Sequence, residues 1–195
     1  MTEAYDFIIL GAGCTGLAAA MYGARLGLKT LALGHDYGSG LHLGGTITMT
    51  NVVENYPGYI KTSGLYISKQ IKDHAQSYDL VTLKEEEVKS VSKKEKLFLV
   101  KTNKAEYLGK TILFATGTKV KKLDIPGAKQ FENKGVNFCA LCDAPLYKNK
   151  VVAVIGGSDT ACREALILAE HVKKAYIIYR RENIHPEEAT LRLLE

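Results

Sequence analysis

Apolar residues fall in short blocks along this chain, and the spacing within each block predicts an element. Residues 6–10, Asp6 followed by Phe-Ile-Ile-Leu, form a short, largely apolar run, the pattern of a parallel strand buried on both faces. Beyond Gly16, apolar side chains recur at Leu17, Met21, Ala24 and Leu28, close to a helical period. Residues 29–33 predict a second strand. Ser63 is placed to cap a helix whose apolar stripe would be Leu65, Ile67, Ile71, His74 and Tyr78. Short runs at 81–83, 88–91 and 97–100, with the polar turn Lys93-Lys94-Glu95-Lys96, predict an antiparallel meander inserted as a crossover. Residues 111–117 then predict a returning buried strand. Patterning lapses and charge rises at 118–122, where a boundary is expected. Beyond it, residues 151–155 predict a strand, Ala161, Ala165, Leu168 and Val172 one face of a helix, and residues 175–179 another strand.

The junctions between these elements carry the first chemistry. Gly11-Ala12-Gly13-Cys14-Thr15-Gly16 lies between strand and helix, which is the dinucleotide fingerprint in its proper context. Gly11 permits the tight turn, Gly13 lets backbone approach a pyrophosphate, and Gly16 lets helix and strand pack closely. The helix N-terminus then faces the phosphates. Cys14 reads as a small packing residue. The acid that would bind a ribose hydroxyl is absent from the end of the second strand, where Gly34 and His35 stand and Asp36 comes too late. A glycine-rich stretch, Tyr37-Gly38-Ser39-Gly40 through Gly44-Gly45-Thr46, leads to Glu54-Asn55-Tyr56-Pro57-Gly58 and reads as a functional loop.

A second such junction follows residues 151–155. Gly156-Gly157-Ser158-Asp159-Thr160-Ala161 opens the next helix, with Ser158 in place of the usual second glycine. The strand after it ends at Arg180-Arg181, where a nucleotide site for NAD would carry an acid; arginine suits a 2′-phosphate. The fold class expected is therefore α/β, with two dinucleotide-binding, Rossmann-like βαβ domains at 1–117 and 118–195, the first carrying the meander insertion.

Between the two junctions stands Cys139-Ala140-Leu141-Cys142-Asp143. Two thiols three positions apart open and close a disulfide at little geometric cost, and a helix N-terminus there would favour the thiolate. With four cysteines in 195 residues the chain is no secreted disulfide scaffold, and a C-x-x-C beside nucleotide folds favours redox chemistry in a reducing compartment. Cys162 reads as structural. A tetrahedral zinc site needs four ligands, and neither a second C-x-x-C nor a nearby His pair accompanies the first, so no metal is expected.

Composition narrows the partners. The net charge of +5 is spread over scattered lysines without a basic motif, so a nucleic-acid partner is not expected. Residues 7–24 carry no charge and match the length threshold of a spanning helix, yet their four glycines favour strand, turn and helix. Glu3 and Asp6 have the wrong sign for a signal peptide. No membrane association is expected, and the reading is cytoplasmic.

Taken together, the order and spacing of Gly11–Gly16, Gly44-Gly45-Thr46, Glu54–Gly58, Ala115-Thr116-Gly117, Cys139–Asp143, Gly156–Ala161 and Arg180-Arg181 resemble the low-molecular-weight thioredoxin reductases. The resemblance covers essentially the whole chain. It implies FAD at the first site, with Gly11, Gly13, Gly16, Gly44, Gly45, Thr46, Asn55, Thr116 and Gly117 as cofactor-binding residues. It implies NADPH at the second, with Gly156, Gly157, Ser158, Asp159, Thr160, Arg180 and Arg181. By the same resemblance Cys142 is the thiol nearest the flavin, Cys139 attacks the partner's disulfide and Asp143 shuttles a proton. Thioredoxin or a similar small dithiol protein is the implied substrate, and a homodimer the implied state at full length. A hinge between the domains is implied near 118–122.

Three departures from the family pattern stand out. Thr46 replaces a common Gln, Ala144 a common Gly, and His185 another phosphate-binding arginine. Family members also continue beyond residue 195, so a C-terminally truncated chain with both domains incomplete is expected. Two other readings stay open: a related flavin disulfide reductase drawing on NADH or ferredoxin, and a non-catalytic nucleotide-binding fragment.

Overall fold

The computed structural model describes residues 4–35, 43–119 and 121–194; Asp36 and the loop residues Tyr37, Gly38, Ser39 and Gly40 lie outside them. The chain divides into two compact units, Met1–Lys119 and Val120–Glu195.

The first unit is a six-stranded sheet in the order β3-β2-β1-β6-β5-β4. Its strands are β1 (Tyr5–Leu10), β2 (Thr30–Gly34), β3 (Val81–Glu85), β4 (Val88–Lys94), β5 (Leu97–Thr102) and β6 (Glu106–Phe114). β3, β2, β1 and β6 pair in parallel, while β6, β5 and β4 pair antiparallel. Being central, β1 is buried on both faces, and successive side chains alternate between two cores. Ile8 and Leu10 join Leu31, Leu33 and Val100, with Val88, Val91 and Tyr107 of the meander packed over them. Ile9 joins Ala20, Ala32 and Ala75 beneath the helices. Each fully buried Ile or Leu contributes about 1.5–3 kcal/mol relative to exposure.

Two helices cover the second core. α1 (Cys14–Arg25) buries Gly16, Leu17, Ala20, Gly23 and Ala24, and small residues there let it lie close on the sheet. A Cβ on Gly23 would stand 2.9 Å from the Phe7 ring. α2 (Gly64–Gln76) starts where the sequence places it, with the Ser63 hydroxyl accepting from the Tyr66 amide at 3.2 Å. Its buried face is Gly64, Ile67, Ser68 and Ala75, whereas Leu65 and His74 of the expected stripe are exposed. Of its small residues, Ala75 joins Ala20 of α1 in the second core, while Gly64 lies against Ile47 and Ser68 against Gly44.

The strand assignment also differs from the expectation. β3 is no part of the meander; it extends the parallel sheet beyond β2, in the register Thr30↔Val81 to Gly34↔Glu85. The meander is β4-β5-β6, and β6 begins at Glu106, well before the expected return. One long strand pairs with β5 at its start and with β1 along its length. The end of β6 is not uniformly buried, since Phe114 is 67% exposed at the mouth of a cavity.

The second unit contains α3 (Ala140–Asp143), β7 (Val151–Ile155), α4 (Asp159–Ala169), β8 (Lys174–Ile178) and α5 (Glu188–Leu194). β7 and β8 pair in parallel from Val151↔Lys174 to Ile155↔Ile178. α4 packs on both strands and on α3 and α5, burying Ala161, Cys162 and Ala165. The opposite face of the strand pair presents Val151, Ile155, Tyr176 and Ile178 as exposed side chains. Among the described residues no helix is long and apolar enough to cross a membrane, and the uncharged run 7–24 is divided between β1 and α1.

Candidate functional site

In the first unit β1 ends at the turn Gly11–Gly13, and three segments converge on it. Gly11 has φ +117°, and a side chain there would strike the Ala115 carbonyl, so only glycine fits. A Cβ on Gly16 would meet the Gly11 carbonyl, which is the close approach of helix to strand expected of the third glycine. The Gly44 amide donates to the Ala12 carbonyl at 2.9 Å, laying the second glycine pair across the first turn. The Ala115 amide donates to the Leu10 carbonyl at 2.8 Å and brings residues 115–117 to the same place.

These segments line a cavity of about 760 Å³. Of the sequence candidates, Gly11, Gly13, Gly44, Gly45, Thr46, Thr116 and Gly117 line it. Gly16 lies beneath as a packing contact, and Asn55 is exposed on a loop that does not reach the lining. Cys14, read as a packing residue, is half-buried in the wall, and burial pushes its thiol up. The cavity is large enough for a nucleotide cofactor. Its floor is glycine backbone, and Gly13, the N-cap of α1, has no side chain to cap the helix. That donor set fits a pyrophosphate.

One residue missed in the sequence stands in the wall. Glu86 follows β3 and is 7% exposed, and its amide donates to the Gly34 carbonyl at 2.7 Å. Its carboxylate accepts from the Tyr107 hydroxyl at 2.9 Å and from the Thr102 hydroxyl at 2.6 Å. The acid absent from the end of β2 thus has a neighbour one strand over, turned toward the meander. Burial, together with the hydrogen bond to Glu86, pushes the Tyr107 phenol up against the opposing effect of Lys84. The acidic run Glu85-Glu86-Glu87 directly after the strand run 81–83 and Lys84 was the available signal.

In the second unit Gly156 turns with φ +149° and its amide donates to the Ile178 carbonyl at 2.9 Å. Ser158 is the N-cap of α4 but its hydroxyl makes no capping bond, so it leaves the first-turn amides open to an anion. Thr160 is exposed on that turn. Asp159 faces the other way: its carboxylate accepts from the Glu187 amide at 3.0 Å and from Arg163 Nε at 2.9 Å. Burial opposes its ionisation, but the neighbouring Thr190 hydroxyl, the Glu187 amide and Arg163 together outweigh burial and hold the carboxyl below the usual range. Arg180 and Arg181 are exposed after β8, without an ion-pair partner among the described residues.

The dithiol belongs to this same unit. Cys139 and Cys142 are joined in a disulfide with their Cα atoms 5.4 Å apart. Cys139 is the N-cap of α3; its sulfur accepts from the Cys142 amide at 3.2 Å, and its carbonyl from the Asp143 amide at 3.1 Å. The Ala140 amide donates to the carboxylate of Glu164 on α4. Cys142 is exposed, Cys139 and Asp143 half-buried, and the apolar Leu141 and Leu146 beside them are exposed. Cys162 is fully buried on the inner face of α4.

Comparison with known proteins places the chain as a whole. Residues 5–193 match the family model described as pyridine nucleotide-disulphide oxidoreductase. The chain is 37% identical over 190 residues to the thioredoxin reductase of Treponema pallidum, covering 97% of this chain and 60% of that protein. Among solved structures, the thioredoxin reductase of Lactococcus lactis superposes with a TM-score of 0.87 at 33% identity, over 97% of this chain and 60% of that one. The thioredoxin reductase of T. acidophilum gives 0.84 at 32% identity, with the same coverage. The chain spans about 60% of the length of the relatives it matches. With both glycine turns, the dithiol and a match running nearly end to end, the chain belongs to the pyridine nucleotide-disulphide oxidoreductase family.

Proposed function

We propose that the chain carries the redox machinery of a thioredoxin reductase: NADPH as donor, FAD as intermediary, the Cys139–Cys142 disulfide as acceptor, and thioredoxin or a similar small dithiol protein as the final substrate. The observation that carries this reading is the seat of the dithiol. α3 packs on α4, the helix opened by the second glycine turn, so the redox pair is built onto a nucleotide-binding unit. In this reading unit 1–119 is the FAD domain, unit 120–195 the NADPH domain, and the full-length protein a cytoplasmic homodimer.

FAD, when bound along Gly11, Gly13, Gly44, Gly45, Thr46, Thr116 and Gly117, supplies two-electron transfer between a nicotinamide and a disulfide. The chain's own residues do the rest. The Cys139–Cys142 bond takes up two electrons and two protons to give two thiols; Cys139 leaves as thiolate and Asp143 delivers its proton. In the return half, Asp143 takes that proton back as Cys139 attacks the partner disulfide, forming a mixed disulfide and releasing one partner thiolate. Cys142 then attacks the Cys139 sulfur, which re-forms the intramolecular disulfide and releases the partner as a dithiol. Arg180 and Arg181 favour the 2′-phosphate of NADPH over NADH.

Replacing Cys142 with Ser tests the assignment. NADPH-dependent reduction of thioredoxin is expected to be abolished while FAD binding persists; turnover retained by the variant would refute the role of the pair.

A further inference from the structure

The Glu164 carboxylate occupies a position that the reaction outlined above does not use. It projects from the second turn of α4 onto the backbone of the redox turn, where it accepts the Ala140 amide hydrogen. That amide is the first of α3, directly after Cys139. At a helix N-terminus the first amides are unpaired within the helix and are the groups that stabilise a thiolate at the N-cap. Here the first of them is already engaged by a carboxylate, and Cys139 keeps the Cys142 amide alone.

We propose that Glu164 is a positioning residue for the dithiol, acting through Cys139 in two ways. It fastens the Cys139–Cys142 turn to α4 through the Ala140 amide, and it places a negative charge beside Cys139 that disfavours the Cys139 thiolate. The inference rests on the reading of Cys139 and Cys142 as the redox pair and adds to it a control of Cys139 acidity. Its consequence is that reduced Cys139 rests as a thiol and loses its proton only when Asp143 takes it during attack on a partner. A resting thiol resists adventitious oxidation and alkylation, since the thiolate is the reactive form.

The surroundings leave Glu164 as the charge nearest the turn from α4. From α3 the facing group is Asp143, and β7 carries no charged residue. On β8, Lys174 lies over the Tyr176 ring, 4.7 Å from its centroid. From α5, Arg192 pairs with Glu188 at 3.2 Å, and on α4 Arg163 is held by Asp159 and, at 3.9 Å, by Glu187. Arg163 and Arg192 are thus held by carboxylates other than Glu164. Burial pushes the Glu164 carboxyl up, and the Asp143 charge adds to this against the Ala140 hydrogen bond.

The test uses the whole chain and needs no cofactor. The pair is first reduced with glutathione: two glutathione thiols become one glutathione disulfide, and their two electrons and two protons open the Cys139–Cys142 bond. Iodoacetamide labelling of Cys139 is then followed by mass spectrometry against pH in the unsubstituted chain, Glu164→Gln and Glu164→Ala. Gln keeps an oxygen for the Ala140 amide and removes the charge. Its labelling midpoint is expected to fall by about one pH unit, a tenfold change in acid dissociation. Glu164→Ala is expected to shift in the same direction and also to label Cys142 faster, as the turn loosens. Should the alanine variant not fold, the glutamine variant carries the test alone. A midpoint unmoved or raised in Glu164→Gln overturns the proposal even if Ala alters labelling, because the contact would then be merely structural. If neither glutathione nor excess dithiothreitol, a stronger dithiol reductant, opens the disulfide in the unsubstituted chain, the redox reading itself fails, and this inference with it.

Discussion

The His185 amide donates to the Gly157 carbonyl at 2.7 Å, and the His185 ring lies 5.5 Å from that of Tyr179, which itself covers Gly157. The loop bearing Arg180 and Arg181 is thereby tied back to the second glycine turn. Where the family pattern has another arginine, this chain has a residue that fixes the loop through its backbone. Replacing Arg180 or Arg181 with Ala is expected to raise the KM for NADPH about 10- to 100-fold, the value of a charge-assisted hydrogen bond. NADH kinetics should stay unchanged. Equal losses with both nucleotides in steady-state assays would count against 2′-phosphate recognition.

Asp159 sets a pH dependence for the second unit. Its carboxyl is held below the ordinary 3.8, so the stability it contributes is fully present above that value and is lost as pH falls through the lower folded value. Asp159→Asn is expected to melt below the unsubstituted chain at neutral pH, with the gap closing in acid. Thermal denaturation by circular dichroism from pH 7 to pH 2 measures this; a gap independent of pH would show that the charge is not what matters.

Gly11→Ala tests the first cradle. A Cβ at φ +117° facing the Ala115 carbonyl is strained whatever else relaxes. A loss of about 1–3 kcal/mol in urea unfolding is expected, together with loss of FAD binding. Normal FAD affinity in a folded variant would mean that the cofactor lies elsewhere.

Tyr107→Phe removes a donor from the buried Glu86 carboxylate, leaving Thr102 as its remaining hydroxyl partner. About 1–3 kcal/mol of destabilisation is expected, read from urea unfolding. A stability unchanged from that of the unsubstituted chain would show that the carboxylate is solvated or otherwise satisfied.

What the sequence made legible was local. Gly11, Gly16 and Gly156 announce their turns because a strand, a glycine and a helix start stand next to one another in the chain. Ser63 announces α2 for the same reason. The partner of β3 was not legible, because residues 81–83 look the same whether they pair with β2 or with a meander, and pairing is decided by residues far along the chain. The polar stretch at the start of β6 hid a strand that only its two neighbours reveal. In α2, both Leu65 and Ile67 are apolar, yet Ile67 is buried and Leu65 exposed, a choice that only the packed helix reveals. Glu164 gave no local sign at all. A glutamate on a helix reads as solvated surface until the packing of α3 on α4 brings it to the Ala140 amide.

The central claim is that electrons from NADPH reach the Cys139–Cys142 disulfide. Its most direct measurement is thiol labelling of the FAD-supplemented chain under anaerobic conditions, before and after NADPH, read by mass spectrometry peptide by peptide. The account predicts that NADPH makes Cys139 and Cys142 newly alkylatable while the labelling of Cys14 and Cys162 stays as it was. Bleaching of the flavin absorbance with neither Cys139 nor Cys142 becoming labelled would contradict it.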